Sequence, residues 1–227
     1  MATNDLETLT EEIKAKTLKA RFLGEDGAVA LEKKRMALFQ ERHKRTDSLG
    51  AASSTFYAAA VNTGAGFKKH PWKFWLAPQA RKCFKIALKL SDEFEGARGI
   101  EAMTADELDV RQTILRRALR FKDAERCIIK GLTYHDASAH TQALLHLGQA
   151  EAGIGLKRNP QISLETAERM IPKIKDLNQA VRVYRGCARV YDELGKLKEA
   201  KRLRAEASQL AKSQGLPGQE LLIEIGV

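Results

Sequence analysis

The chain has 227 residues, enough to bury a sizeable core in one or two domains. Hydrophobic residues make up 44% of it and charged residues 30%, a balance typical of a folded protein and unlike that of a wholly disordered one. Lys and Arg total 39 against 29 Asp and Glu, and the resulting net charge of +10 favours acidic partners such as nucleic acid, an anionic membrane or an acidic peptide.

The beginning of the chain and its cysteines lead us to expect a cytoplasmic protein. The first residues are acidic and polar, unlike a secretory signal or an Arg-rich transit peptide. Cys83, Cys127 and Cys187 are odd in number and far apart, which favours reduced, buried thiols. The charge-free stretch at residues 48–67 has the length of a membrane span but many small and polar residues, so we expect a helix and loop there.

Helical signals run through the chain, and strand signals are nearly absent. The pattern of residues 1–47 predicts two long helices, arranged as an N-terminal pair or arm. Residues 48–103 predict a degenerate helical hairpin with a basic and aromatic loop. Residues 104–215 predict further hairpins, opened by a capping box of Thr104 with Glu107, and residues 216–227 form an apolar tail that we expect to dock. We therefore predict an all-α fold of antiparallel helical hairpins.

The hairpin at residues 180–215 has a recognisable pattern: large, small and aromatic residues in its first helix, a glycine turn, then two alanines seven positions apart. These residues are Tyr184, Ala188, Tyr191, Gly195, Ala200 and Ala207. The pattern resembles the tetratricopeptide repeat (TPR) family, in which small residues lie where two helices cross and aromatic residues fill the gaps beside them. Residues 104–175 match less closely, because Gln112 stands where a small residue is expected and the turn after Gly155 is longer.

The resemblance implies a TPR-like solenoid whose concave groove, lined by the first helix of each hairpin, binds an extended or helical segment of a partner protein. The implied groove positions are Arg182, Arg185, Arg189 and Asp192 in the last hairpin, Gln142, Leu145, Gln149 and Ala152 in the middle one, with His146 beside them, and Asp106, Asp109, Thr113 and Arg116 in the first. The three arginines are spaced three and four residues apart, so they share one helical face and suit an acidic or carboxylate-bearing segment. The alternative is a solvated face, with Arg189 paired to Asp192 or Glu193 in its own helix.

A second candidate surface interleaves aromatic and basic residues around positions 67–76 and continues as a lysine stripe on the next helix. Its members are Lys68, Lys69, Trp72, Lys73, Trp75, Lys82, Lys85 and Lys89. Rings that stack on bases beside lysines that meet phosphates suit RNA or a ribonucleoprotein. The same residues at an anionic bilayer would give peripheral membrane association. Otherwise the segment is an anchor into a partner protein, or its rings are buried where the first hairpin meets the N-terminal helices.

No set of residues in the sequence predicts catalysis, a metal site or a cofactor. Gly64 and Gly66 lack the spacing and the strand–helix context of a phosphate loop. His135 and His140 are five positions apart, so one helix face does not present both to a metal ion. Cys187 occupies a core position of the repeat pattern. We therefore predict a non-enzymatic adaptor or scaffold for a partner protein, with RNA binding as the alternative and peripheral membrane association as the third interpretation.

Overall fold

The computed structural model describes residues 49–69, 76–213 and 215, and every regular element in this part of the chain is a helix. The all-α prediction is therefore confirmed for the described residues. Eight α-helices follow one another there: α1 (Leu49–Lys69), α2 (Leu76–Arg98), α3 (Ala105–Arg117), α4 (Phe121–Leu132), α5 (Ala139–Gly155), α6 (Gln161–Met170), α7 (Leu177–Glu193) and α8 (Leu197–Ser213). The predicted helices of residues 1–47, the loop residues Trp72, Lys73 and Trp75, and the tail at 216–227 lie outside the described residues.

The chain divides into two compact units, Met1–Ala97 and Arg98–Val227. In the first unit, α1 packs against α2 through small residues. The Ser53 hydroxyl donates a hydrogen bond to the Ala87 carbonyl over 2.9 Å, which satisfies a buried hydroxyl without a bulky side chain.

The second unit contains three helical hairpins. Helix α3 packs on α4, α5 on α6, and α7 on α8, while α5 also lies against both α3 and α7. Only three residues join α3 to α4 (118–120) and α7 to α8 (194–196), and five join α5 to α6 (156–160), so each pair must reverse the direction of the chain. Residues 105–213 thus contain three helical hairpins.

The three hairpins recur at a constant interval along the chain. Helices α3, α5 and α7 end at positions 117, 155 and 193, so the same distance in sequence, which we call the hairpin interval, separates successive ends. A residue in the left-handed region follows each end: Leu119 (φ 61°), Lys157 (φ 58°) and Gly195 (φ 72°). The next N–H then donates to the carbonyl five residues earlier, from Arg120 to Leu115 (2.9 Å), Arg158 to Gly153 (2.7 Å) and Lys196 to Tyr191 (2.8 Å). Three different sequences therefore form the same helix-terminating turn.

Local signals explain where several helices begin and end. The predicted capping box at α3 is confirmed, since the Glu107 N–H donates to Thr104 Oγ1 over 3.3 Å and the Thr104 N–H donates to Glu107 Oε2 over 2.7 Å. Helix α6 ends at Met170, because Pro172 has no N–H to continue it and a single 3₁₀ turn follows.

The core of the second unit lies between the hairpins and is apolar around α7. Ala188 and Ala200 are buried where α7 and α8 meet, with Tyr191 beside them, as the repeat pattern predicts. All three cysteines are buried and free, which confirms the prediction made from their spacing.

Candidate functional site

Charged side chains cross α3, α5 and α7 where these three helices lie side by side. We call this set the charged seam. Its members are Asp106, Asp109 and Arg116 on α3, His140 and Glu151 on α5, and Arg182, Arg185 and Arg189 on α7. Arg189 follows Glu151 by one hairpin interval, 38 positions, so residues of opposite charge occupy the same place in neighbouring hairpins.

Glu151 joins the three helices of the charged seam. One of its carboxylate oxygens pairs with Arg116 of α3 and the other with Arg189 of α7. The side chains of Arg116, Glu151 and Arg189 are 7%, 12% and 29% exposed, so the ion pairs lie largely away from water. Because charges interact more strongly in such surroundings, and because removing one partner leaves the others uncompensated, this network holds the helices in register.

A second set of polar contacts lies within α3, at the face that packs against α5. The Gln112 amide accepts a hydrogen bond from Arg116 Nε over 2.5 Å and donates one to Asp109 Oδ1 over 2.9 Å. Gly148 of α5 gives this amide its space, since a Cβ at position 148 would lie 2.8 Å from Gln112 Cδ. Gln112, which departs from the TPR pattern, is therefore accommodated by a glycine on the neighbouring helix.

Burial and the nearby arginines set the charge of two groups in the charged seam. Burial raises the pKa of Asp109, against the opposing effect of Arg182 and the hydrogen bond from Gln112. Burial, followed by the positive charge of Arg182, lowers the pKa of His140 to about 4, and the carboxylates of Asp106 and Asp176 only partly oppose this. His140 is therefore neutral at pH 7.

Arg185 lies between two residues of its own charge. Its pKa is lowered to about 9 by burial and then by the positive charges of Arg189 and Arg182. The guanidinium stays protonated at pH 7, but its charged form is held at a cost in free energy. An anion placed against this stretch of α7 would reduce that cost.

The expected intrahelical pairing of Arg189 is wrong in the structure. Arg189 pairs with Glu151 of α5, and Asp192 pairs instead with Arg204 of α8. Arg182 is exposed and Arg185 half-buried, so the three predicted arginines differ in how accessible they are to a partner.

Gln142, His146 and Gln149 do not join the arginines. Gln142 is nine residues from Glu151, which places the two on opposite faces of α5. Gln142 and His146 line a separate open cleft of about 300 Å³, and Gln149 accepts a hydrogen bond from Ser163 of α6 over 3.0 Å. The other residues of the cleft are Thr166, Arg169, Met170 and Lys173.

The predicted α5 positions were therefore offset by two residues. Leu145 and Ala152 are buried against Ile128 of α4. The hairpin interval instead aligns the arginines of α7 with Leu144, Leu147 and Glu151. Sequence reasoning missed Glu151. Counting back one hairpin interval from Arg189 would have found it.

The second predicted surface is described only in part. Lys82, Lys85 and Lys89 are exposed on α2, and Lys89 pairs with Glu93 over 3.7 Å. Cys83, Ala87 and Leu90 are buried on the other side of the helix, and Phe84 is half-buried. Lys68 and Lys69 belong to the last turn of α1.

Within the described ranges, no group of three or more His, Cys, Asp or Glu side chains is arranged to hold a metal ion. None of the helices described between residues 49 and 213 combines the length and the apolar character that crossing a bilayer requires.

Comparison of the chain with family models, with curated proteins and with solved structures finds no match. The charged seam is therefore the feature from which a function can be inferred.

Proposed function

We propose that this chain is a non-enzymatic, cytoplasmic adaptor of TPR-like solenoid architecture that binds an acidic segment of a partner protein along the charged seam. The recurrence of hairpins at a constant interval, with one turn geometry, supports the repeat architecture. Repeated hairpins of this kind offer an extended surface to a peptide, because their first helices lie side by side.

The observation that carries the proposal is the row of arginines on α7. Arg182 and Arg185 are one helical turn apart, and burial with like-charged neighbours depresses the pKa of Arg185 to about 9. A carboxylate that accepts hydrogen bonds from both guanidinium groups fits their planar, paired donors.

The other members of the charged seam have a supporting role in this proposal. Arg189 and Arg116 are engaged by Glu151, which fixes α7 against α3 and α5. Arg182, which is exposed on α7, is therefore the residue on which binding should depend most, with Arg185 one helical turn along the same face. His140, being neutral, adds no positive charge for an anionic partner.

The test is affinity capture from a nuclease-treated native lysate with the wild type and with the Arg182→Glu/Arg185→Glu variant. The matched control is Arg169→Glu/Lys173→Glu, which reverses two charges in the cleft on the other side of α5. We expect a defined partner that is retained by the wild type and the control and lost from the first variant. A partner lost equally from both variants would contradict the proposal.

The exposed lysines of α2 favour one second candidate, the binding of RNA. Lys82, Lys85 and Lys89 follow one side of the helix, opposite its buried face. Reversal of these three charges should then abolish binding of a single-stranded oligonucleotide and reduce its salt dependence. Equal affinity of the reversed variant and the wild type would exclude this function for α2.

A further inference from the structure

Three of the four large hydrophobic side chains that are exposed in the described part of the chain lie at the hairpin turns of the second unit. Leu119 is 74% exposed, Ile162 77% and Leu197 68%. Each lies at or just after the turn that ends α3, α5 or α7. Single exposed aliphatic residues are ordinary, but here one lies at each of the three hairpin turns.

The three turns lie next to one another along one edge of the second unit. Arg158 of the second turn pairs with Glu125 of α4, and a Cβ on Gly155 would come within 2.5 Å of the Phe121 ring. Lys196 of the third turn donates a hydrogen bond to Gln161 over 2.5 Å. We call this row of turns, residues 117–122, 156–162 and 194–198, the turn edge.

The turn edge is strongly basic. Its three segments contain seven Lys and Arg residues and no Asp or Glu, and of these seven Arg120 pairs with Asp123 and Arg158 with Glu125 just outside the segments. The connections at the other end of the hairpins, residues 133–138 and 174–176, contain one lysine and two aspartates. The exposed side chains of Leu119, Ile162 and Leu197, which we call the apolar tips, and the positive charge are thus concentrated at the same end of the hairpins.

We propose that the turn edge binds the surface of an anionic lipid bilayer. The side chains of Leu119, Ile162 and Leu197 enter the headgroup layer, and the surrounding lysines and arginines face lipid phosphates and carboxylates. The turn edge shares no residue with the charged seam, so an adaptor bound to a membrane by its turn edge keeps the residues of the seam for its partner protein.

The chemistry of the turn edge favours lipid over nucleic acid or protein. Its exposed apolar residues are aliphatic, and leucine and isoleucine offer no ring on which a base can stack. A protein partner would need a separate pocket for each of three tips in a row, whereas an acyl layer accepts apolar tips at any spacing.

The first test is co-sedimentation of the full chain with phosphatidylcholine vesicles that contain or lack phosphatidylserine. The variant Leu119→Asn/Ile162→Gln/Leu197→Gln removes the tips and keeps every charge, and asparagine tolerates the left-handed backbone at position 119. Ile129→Gln is the control, since Ile129 is 58% exposed on α4 but lies away from the turns. Thermal unfolding followed by circular dichroism checks that each variant is folded.

We expect the wild type and Ile129→Gln to bind only the vesicles with phosphatidylserine, and the triple variant to bind them about tenfold or more weakly. Binding by the folded triple variant at the wild-type level would overturn the proposal. So would the absence of wild-type binding, or equal binding to both kinds of vesicle.

The second test separates lipid from nucleic acid. The Lys122→Gln/Lys157→Asn/Lys198→Gln variant should lose affinity for the anionic vesicles, while Lys173→Gln/Lys175→Gln/Lys212→Gln, with the same change in net charge, should lose much less. If instead the turn-edge lysines are needed for a single-stranded oligonucleotide, and the apolar tips are needed for neither ligand, the turn edge binds nucleic acid and the lipid proposal is wrong.

Discussion

The first and third hairpins of the second unit have the same turn geometry but differ in how polar their buried residues are. Helix α3 buries Asp109, Arg111, Gln112 and Arg116 beside four apolar residues, whereas the buried residues of α7 include valines, a cysteine and alanines and no charged side chain. At the position where α3 has Gln112, α7 has Ala188, two hairpin intervals later. A constant hairpin can therefore be filled with polar or apolar side chains, provided that the helix packed against it supplies the complementary partner.

The two interiors should respond differently to substitution. A polar interior depends on particular pairs, since each buried group that loses its partner keeps the full cost of its desolvation. An apolar interior depends mainly on volume. Substitutions in α3, and of Gly148 and Glu151 on α5, which contact α3, therefore test this difference between the two interiors.

The largest effect is expected for Glu151→Gln, which removes the negative charge shared by Arg116 and Arg189. Two largely buried guanidinium groups would lose their counterion, and the free energy of unfolding should fall by about 3 kcal/mol. Glu125→Gln breaks the more exposed pair with Arg158 and should cost less than about 1 kcal/mol. Urea denaturation of both variants measures the difference, and equal costs would show that the buried network has no special role.

A smaller effect is expected for Gly148→Ala. The new Cβ would overlap the Gln112 amide, which its hydrogen bonds hold in place, and unfolding should become easier by about 2 kcal/mol despite the better helix propensity of alanine. In a Gln112→Ala background the same substitution should cost much less. A double-mutant cycle from denaturant unfolding checks this, and strict additivity of the two changes would refute the proposed contact.

The pH dependence of stability tests the surroundings of His140. Since its pKa falls from 6.5 to about 4 on folding, the unfolded chain binds a proton in that range that the folded chain does not. The contribution of His140 to the free energy of unfolding should therefore decrease as the pH falls from about 6.5 to about 4. In His140→Gln the fall in the free energy of unfolding over this range should be smaller by about 1 kcal/mol, after allowance for the solvent that reaches the ring.

Denaturation midpoints of wild type and His140→Gln across this pH range provide the measurement. Burial also lowers the pKa of His146, so part of the slope should remain in the variant. An unchanged slope in His140→Gln would mean that His140 is not held in its neutral form.

The smallest effect is expected at the turns. Leu119 adopts a left-handed backbone that Gly195 adopts without strain in the third hairpin. Leu119→Gly should therefore stabilise the protein by about 0.5–1 kcal/mol, and Gly195→Ala should destabilise it by about as much. Thermal unfolding of the two variants checks the opposite signs, and two changes of the same sign would be inconsistent with equivalent turns.

Much of the fold could be predicted from local signals. The apolar periodicity, the capping box at Thr104 and the small residues of the last hairpin are encoded within a few positions of where they act. They were sufficient to locate the hairpins of residues 104–213 and to place Tyr191 and Ala188 in the core.

The charged seam could be predicted only in part, because it depends on alignment between distant helices. The arginines of α7 were found from the resemblance of their hairpin to the TPR pattern. Because of the two-residue offset on α5, Gln142 was predicted at the groove position that Leu144 occupies, and Glu151 was missed. The partners of Glu151 lie on α3 and α7, far from it in the chain. A shift of two residues turns an α-helix by more than half a turn, so a small error of alignment moves a side chain to another face.

The measurement that tests the central claim most directly is the anisotropy of a fluorescent glutamate-rich peptide titrated with the wild type, Arg182→Glu/Arg185→Glu and Arg169→Glu/Lys173→Glu. If the charged seam binds acidic segments, the first variant should weaken binding about tenfold or more, since charge-assisted hydrogen bonds are lost, and the second should leave it nearly unchanged. Equal weakening by both variants, or a wild type that does not bind the peptide, would contradict the claim.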